Sequence, residues 1–204
     1  TALAKHLRSL GIRSSIAAAA PEGMATRDDE IDGTPSHRYR VGPPTPVEIA
    51  NRLPHDGFDD FRRWLDAHRP DIYHQHSWTR GCGLPHLQHA RSIGVPTVVT
   101  VHVPSVICLR GTMMLNGTTA CDGTVDVGRC TRCWAPSRGV PSGFAAVQAS
   151  WPGISTALAA ALPPSRLRTA LATPRLVTQR QEDIAELAAS ADRVIAVCHW
   201  LDSA

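Results

Sequence analysis

The six residues Pro96 to Val101 (PTVVTV) form an unbroken β-branched run bounded by Gly94 and His102. A half-exposed strand would alternate apolar with polar. A continuous apolar run of this length is the pattern of a strand buried on both faces, which occurs in parallel sheets covered by helices. The flanking segments fit that requirement. Ala2 to Leu10 has helical spacing, with Leu3, Leu7 and Leu10 on one face and Gly11 as the stop. Ile12 to Ala20 reads as a short buried strand, Pro21 to Ser36 as a polar loop and His37 to Val41 as a short strand. Asp59 to His68 is a helix stopped by Pro70, Asp71 to Gln75 a strand, and Leu84 to Ile93 a helix stopped by Gly94. Ser155 to Leu162 and Pro174 to Ser190 are helical, and Ala191 to Cys198 (ADRVIAVC) is a second buried strand. Strands that alternate with helices of this kind predict an α/β fold with a doubly wound parallel sheet. The chain opens with a helix–strand step, so a first strand is expected ahead of Thr1.

Composition removes several function classes. At 204 residues and 43% hydrophobic content the chain has the material for a packed core. The net charge of +3 lacks the dense basic stripe of a nucleic-acid binder, so no nucleic-acid partner is expected. No apolar run reaches the ~18 residues of a membrane-spanning helix. The expected location is the cytoplasm.

The segment from His102 to Gly143 breaks the helix–strand rhythm and is rich in Gly, Pro, Thr and Cys. Residues 103–138 read as a cysteine-rich loop insert. Cys108, Cys121, Cys130 and Cys133 have the spacing C-x12-C-x8-C-x2-C. A C-x2-C pair in a tight turn, completed by two further thiolates, suits a tetrahedral structural zinc site. A loop with so few large apolar residues cannot offset its ordering entropy by burial, and a metal would supply that free energy. An iron–sulfur cluster uses the same four donors and ranks second; a redox role for the C-x2-C alone is the other alternative. Cys198 reads as a small buried hydrophobe, and Cys82, between two glycines, has no assigned role.

In open parallel sheets, ligands bind beyond the carboxyl ends of the strands. Two such ends are dense in polar groups here. Asp71 to Trp78 (DIYHQHSW) runs into Gly81-Cys82-Gly83, and the second strand ends Thr100-Val101-His102. The N–H groups of the Gly81 to Leu84 turn are candidate donors to an anionic or hydroxyl-rich ligand. His102 is expected to point into the crevice. His74 and His76 are expected to divide between the core side and the crevice side.

The segment Phe61 to Ser77 (FRRWLDAHRPDIYHQHS), the PTVVTVH strand and the tail Ala191 to Leu201 (ADRVIAVCHWL) together resemble the N-terminal domain of GT-B glycosyltransferases of the subfamily 4-like kind. Cys198 stands where that tail more usually has serine. Some members carry a cysteine-bearing insert after the TVH strand, and ICLRGTMMLNGTTACDG…RCTRC resembles it. The resemblance implies a Rossmann-like, acceptor-side half of a GT-B fold over residues 1–204, with the first strand and the C-terminal donor domain lying outside the chain. It implies a retaining transferase that uses a nucleotide-sugar donor and a glycosyl acceptor, with no metal at the reaction centre. The implied role of His102 is contact with the donor sugar. His76, Ser77 and Trp78 fall on the acceptor side. The cysteine site becomes a structural brace, and Arg110, Arg129, Arg132 and Arg138 either meet an anionic acceptor or form a solvated basic surface. The family also implies a peripheral contact at the inner face of the membrane. The competing readings are a zinc-ribbon-like module that binds nucleic acid or protein, and a nucleotide-sugar epimerase of the same fold.

Overall fold

The computed structural model describes residues 2–45, 48, 53–76, 78–163 and 165–197. Cys198 and the end of the tail motif lie outside them. The chain divides into two compact units. The first holds residues 1–98 with 190–192, and the second holds 99–189 with 193–204.

The first unit opens with helix α1 (Ala2–Ser9) and strands β1 (Ile16–Ala19), β2 (Arg27–Ile31) and β3 (Thr34–Tyr39). These strands form one sheet in the order β1-β3-β2, with β1 parallel and β2 antiparallel to β3. Of Pro21 to Ser36, expected to be a loop from its polarity, residues 21–26 are one and the rest is a β-hairpin. Asp32 (φ 52°) and Gly33 (φ 74°) both take positive φ. This is the two-residue turn that matches the twist of paired strands, and Asp-Gly is its strongest sequence signal. The β2 residues stay polar because they occupy a sheet edge, where Arg27 and Arg38 both pair with Asp29. Helix α1 grips the hairpin through Arg8, which donates to Thr34 Oγ1 at 2.6 Å, and through the Lys5–Asp32 pair. The expected apolar face of α1 is largely in solvent: Leu3 is 41% and Leu10 62% exposed, and the buried residue is Ala4. β1 is likewise only half-buried.

Helix α2 (Phe58–His68) follows, then strand β4 (Tyr73–Gln75), helix α3 (Leu84–Ser92) and the start of strand β5 (Thr97–Val101). α2 ends on Arg69 in the left-handed conformation, ahead of Pro70. The core comprises Tyr39, Phe61, Leu65, Ala90 and Val95, with Phe58, Trp64, Tyr73 and Ile93 packed around it. Phe61 and Leu65 are fully buried, each contributing about 1.5–3 kcal/mol of transfer free energy. Tyr73 N–H donates to Pro96 O, which sets β4 beside the start of β5. Thr97 is tied to the chain after its crossover. Its Oγ1 donates to Ser190 O at 2.8 Å, and its N–H donates to Asp192 Oδ2 at 2.8 Å. Asp192, in the tail motif, thus anchors the strand.

A close backbone approach fixes the start of α2. A Cβ on Gly57 would collide with the Arg40 carbonyl oxygen. Gly57→Ala is expected to cost about 3 kcal/mol, read as a lower urea midpoint with an unchanged m-value.

The second unit contains the remainder of β5, a short 3-10 turn (Pro104–Val106), a hairpin of strands β6 (Met114–Leu115) and β7 (Thr119–Ala120), helices α4 (Val127–Ser137), α5 (Ser142–Ser150), α6 (Pro152–Ala161), α7 (Arg166–Leu171) and α8 (Thr173–Ser190), and strand β8 (Arg193–Ala196). β5 lies between β4 and β8 in sheet order. The expected single doubly wound sheet is replaced, among the described residues, by two three-stranded sheets and one hairpin, so the α/β class holds and the continuous sheet does not. β5 is buried as its composition requires. β8 is not: Val194 is 51% and Ile195 46% exposed. One buried cluster of this unit is Ala135, Val140 and Ala145, and Val106, Met113, Leu171, Val177 and Leu187 are buried as well. Buried Gln148 joins three helices by donating to Ser155 Oγ and to Ala170 O.

Candidate active site and thiol pocket

In the first unit the end of β4 carries Tyr73, His74, Gln75 and His76. Gln75 is buried and His76 exposed. The His74 and His76 ring centroids lie 4.0 Å apart. They share one face instead of dividing between two, because strand side chains repeat with period two and residues i and i+2 point the same way. Trp78 is half-buried in the same stretch, and Ser77 lies outside the described residues. The turn that follows is closed by paired backbone bonds between Thr79 and Cys82, at 2.9 and 3.1 Å. Tyr39 OH donates to Gly81 O at 2.5 Å.

The expectation that this turn offers its N–H groups to a ligand fails at two positions. Cys82 N–H is taken by Thr79 O, and Gly83 N–H by His86 Nδ1 at 3.2 Å. His86 is the third residue of α3 and reaches back to its N-cap, as Glu or Gln does in a capping box. Its Nε2 lies 3.1 Å from Nε2 of His55, whose Nδ1 accepts from Gly57 N–H. Both rings are buried, at 1% and 3% exposure, and stack among Tyr39, Phe58 and Phe61. Burial, and secondarily the neighbouring His55, pulls the His86 imidazole down to about 3. His55 is lowered by burial first and by Arg80 next.

In the second unit His102 follows β5 directly and is exposed. Beyond it comes the cysteine segment, which is more ordered than a loop. The C-x2-C pair sits on α4, not in a tight turn. Asp126 caps α4 by accepting from Arg129 N–H at 2.7 Å, and the helix places Cys130 and Cys133 one turn apart. The β6–β7 hairpin leans on the same helix: Asn116 N–H donates to Cys133 Sγ at 3.2 Å, and Arg110 donates to Cys133 O. Cys108, Cys121, Cys130 and Cys133 all line one cavity of ≈ 30 Å³. All four are reduced and partly buried. Burial pushes the Cys130 thiol up, against the pull of the Asp126 backbone and Arg129. Among the described residues, no three His, Cys, Asp or Glu side chains stand close enough to hold a metal ion as they are placed. Four thiols are the soft donors a thiophilic cation takes, but here they line the cavity without converging on one point.

The arginines are largely committed. Arg129 pairs with Asp122, holding that carboxyl well below the usual carboxylate range, and donates to Cys121 Sγ at 3.4 Å. Arg138 lies 4.6 Å over the Trp134 ring. These contacts remove Arg129 and Arg138 from the expected anion-binding set.

A family model described as glycosyl transferase 4-like domain matches residues 1–136. The chain belongs to this family. No curated protein and no solved structure matches it significantly. The matched span of the glycosyl transferase 4-like domain contains the H-x-H strand, β5 with His102, and the cysteine segment through α4. His76 and Trp78 belong to its first unit and His102 to its second. No helix among its described residues is long and apolar enough to cross a membrane. Sequence reading passed over His55 and His86. Their only signal was a histidine three residues after Gly83, where a cap-reaching side chain would sit.

Proposed function

We propose that this domain is the acceptor-side half of a retaining glycosyltransferase that uses a nucleotide-activated sugar. The family match over residues 1–136 carries the reading. The exposed His102 at the C-terminal end of a buried strand supports it, since open α/β sheets bind ligands there. In this reading the His102 ring hydrogen-bonds the donor sugar and favours the charge that develops as the glycosidic bond to the nucleotide breaks. His76, Ser77 and Trp78 receive the acceptor: two polar groups orient a hydroxyl and an indole packs against a sugar or lipid face. The nucleotide is held by a C-terminal donor domain, the partner this half requires. The enzyme works in the cytoplasm with a peripheral contact at the inner membrane face. The exposed Val147, Trp151, Ile154 and Leu158 provide apolar side chains for such a contact.

The test is a transfer assay on the full-length protein with a panel of uridine- and guanosine-diphosphate sugars, with the anomeric configuration of the product read by NMR. A product with the donor's own configuration is expected. An inverted product would overturn the retaining mechanism, and no transfer or donor hydrolysis from any donor would overturn the enzyme reading.

A further inference from the structure

We propose that the four-thiol cavity of the second unit is a structural zinc site, in which Cys108, Cys121, Cys130 and Cys133 close on one ion and pin the β6–β7 hairpin to α4. The inference is independent of the glycosyl-transfer reading.

Three observations carry it. The thiols come from three separate pieces of chain: the 3-10 turn side, the residue after β7, and α4. Yet all four line one cavity. That cavity, at ≈ 30 Å³, has room for a water-sized occupant or an ion. It suits a single ion.

Asn116 (φ 54°) and Gly117 (φ 83°) make the tight turn after β6, and that turn aims the Asn116 N–H at Cys133 Sγ. A backbone N–H is a weak partner for a neutral thiol and a strong one for a thiolate, since hydrogen bonds to ionised acceptors are about twice as strong.

The surrounding charge also fits. A divalent ion with four thiolates carries a net charge of −2. Arg129 touches Cys121 Sγ and interacts electrostatically with Cys130, and Arg180 interacts in the same way with Cys108. Arg129 Nε and Arg180 Nε are buried without a hydrogen-bond partner. The Arg180 guanidinium, with an unsatisfied buried N–H, is costly beside four neutral thiols and favourable beside a dianionic cluster, while Arg129 is already paired with Asp122.

Binding is written as four Cys–SH plus Zn²⁺ giving one tetrathiolate zinc and four released protons. No electron transfer is involved, and the four soft donors with no open position select zinc in a structural role.

The test is metal analysis of the full-length protein, purified under reducing conditions with any affinity tag removed. About one zinc per chain is expected. Titration with a mercurial should release that zinc as the thiols react, and Cys130→Ser and Cys133→Ser should each lower the zinc content at least tenfold. Cys82→Ser should leave it unchanged. If a serine variant fails to fold, mercurial release from the unaltered chain decides, since it needs no variant. Metal-free protein whose thiols react at the rate of a free peptide would overturn the proposal. Iron with visible charge-transfer absorption would overturn the assignment to zinc. Zinc retained in both Cys130→Ser and Cys133→Ser would place the ion elsewhere and overturn the site.

Discussion

His102→Ala in the complete enzyme should lower kcat for sugar transfer by roughly 10²- to 10³-fold, the usual consequence of removing one hydrogen-bond donor aimed at developing charge. The thermal midpoint should move little, because the His102 side chain is exposed and contributes little buried area. That combination separates a substrate contact from a packing residue. A change acting only in the transition state lowers kcat and kcat/KM together. One acting on uniform donor binding raises KM and spares kcat. His102→Gln, which keeps a donor at similar reach, should recover part of the loss. Wild-type turnover in the alanine variant would remove His102 from the mechanism without disturbing membership of the family, which rests on the match over residues 1–136.

Acid should destabilise the first unit through its buried histidine pair. In the unfolded chain a histidine titrates near 6.5. In the folded chain His86 is pulled down to about 3, by burial first and by His55 second. Between those values the unfolded chain binds a proton that the folded chain refuses. Stability therefore rises with pH across the window and falls on acidification through it. At 1.36 kcal/mol per pH unit, the gap from 6.5 to about 3 amounts to about 5 kcal/mol, complete only below pH 3, of which about 3 kcal/mol is lost by pH 4. This is a large share of the roughly 5–15 kcal/mol that holds a domain together. His55, also lowered, acts in the same direction. The interval from pH 6.5 to 5 is the diagnostic one, because ordinary carboxylates are still largely ionised there. His86→Gln should flatten the stability–pH curve in that interval. The amide of glutamine at the same helix position still reaches back to the Gly83 N–H, so the cap survives while the titration disappears. Urea unfolding at half-unit pH steps reads both curves. Equal slopes in the two proteins would show that the pair is not the acid-sensitive element.

The sequence carried the elements whose signal is local. PTVVTV required a buried strand and β5 is one. Gly11 and Gly94 mark helix ends at positive φ, as their positions implied. The motifs from Phe61 to Ser77 and at the TVH strand end led to the family, and the match confirms that. Other features escaped because polarity outweighed a stronger signal. Residues 21–36 looked like a loop, although Asp32-Gly33 is a hairpin turn and an edge strand tolerates charge. ADRVIAVC looked like a core strand, although burial depends on what packs against a strand's faces, and Val194 and Ile195 are about half exposed. His74 and His76 were assigned to opposite faces against the period of a strand, and their rings sit together.

By itself the sequence determined the α/β class, the family, and the count and spacing of the thiols. These follow from periodicity, turn chemistry and composition, which act between residues close along the chain. Tertiary structure alone decided three things. It placed the C-x2-C on a helix capped by Asp126, gathered four separated thiols about one small cavity, and set two histidines 31 positions apart ring against ring. Each depends on packing among distant segments, and no local pattern encodes which residues that packing brings together.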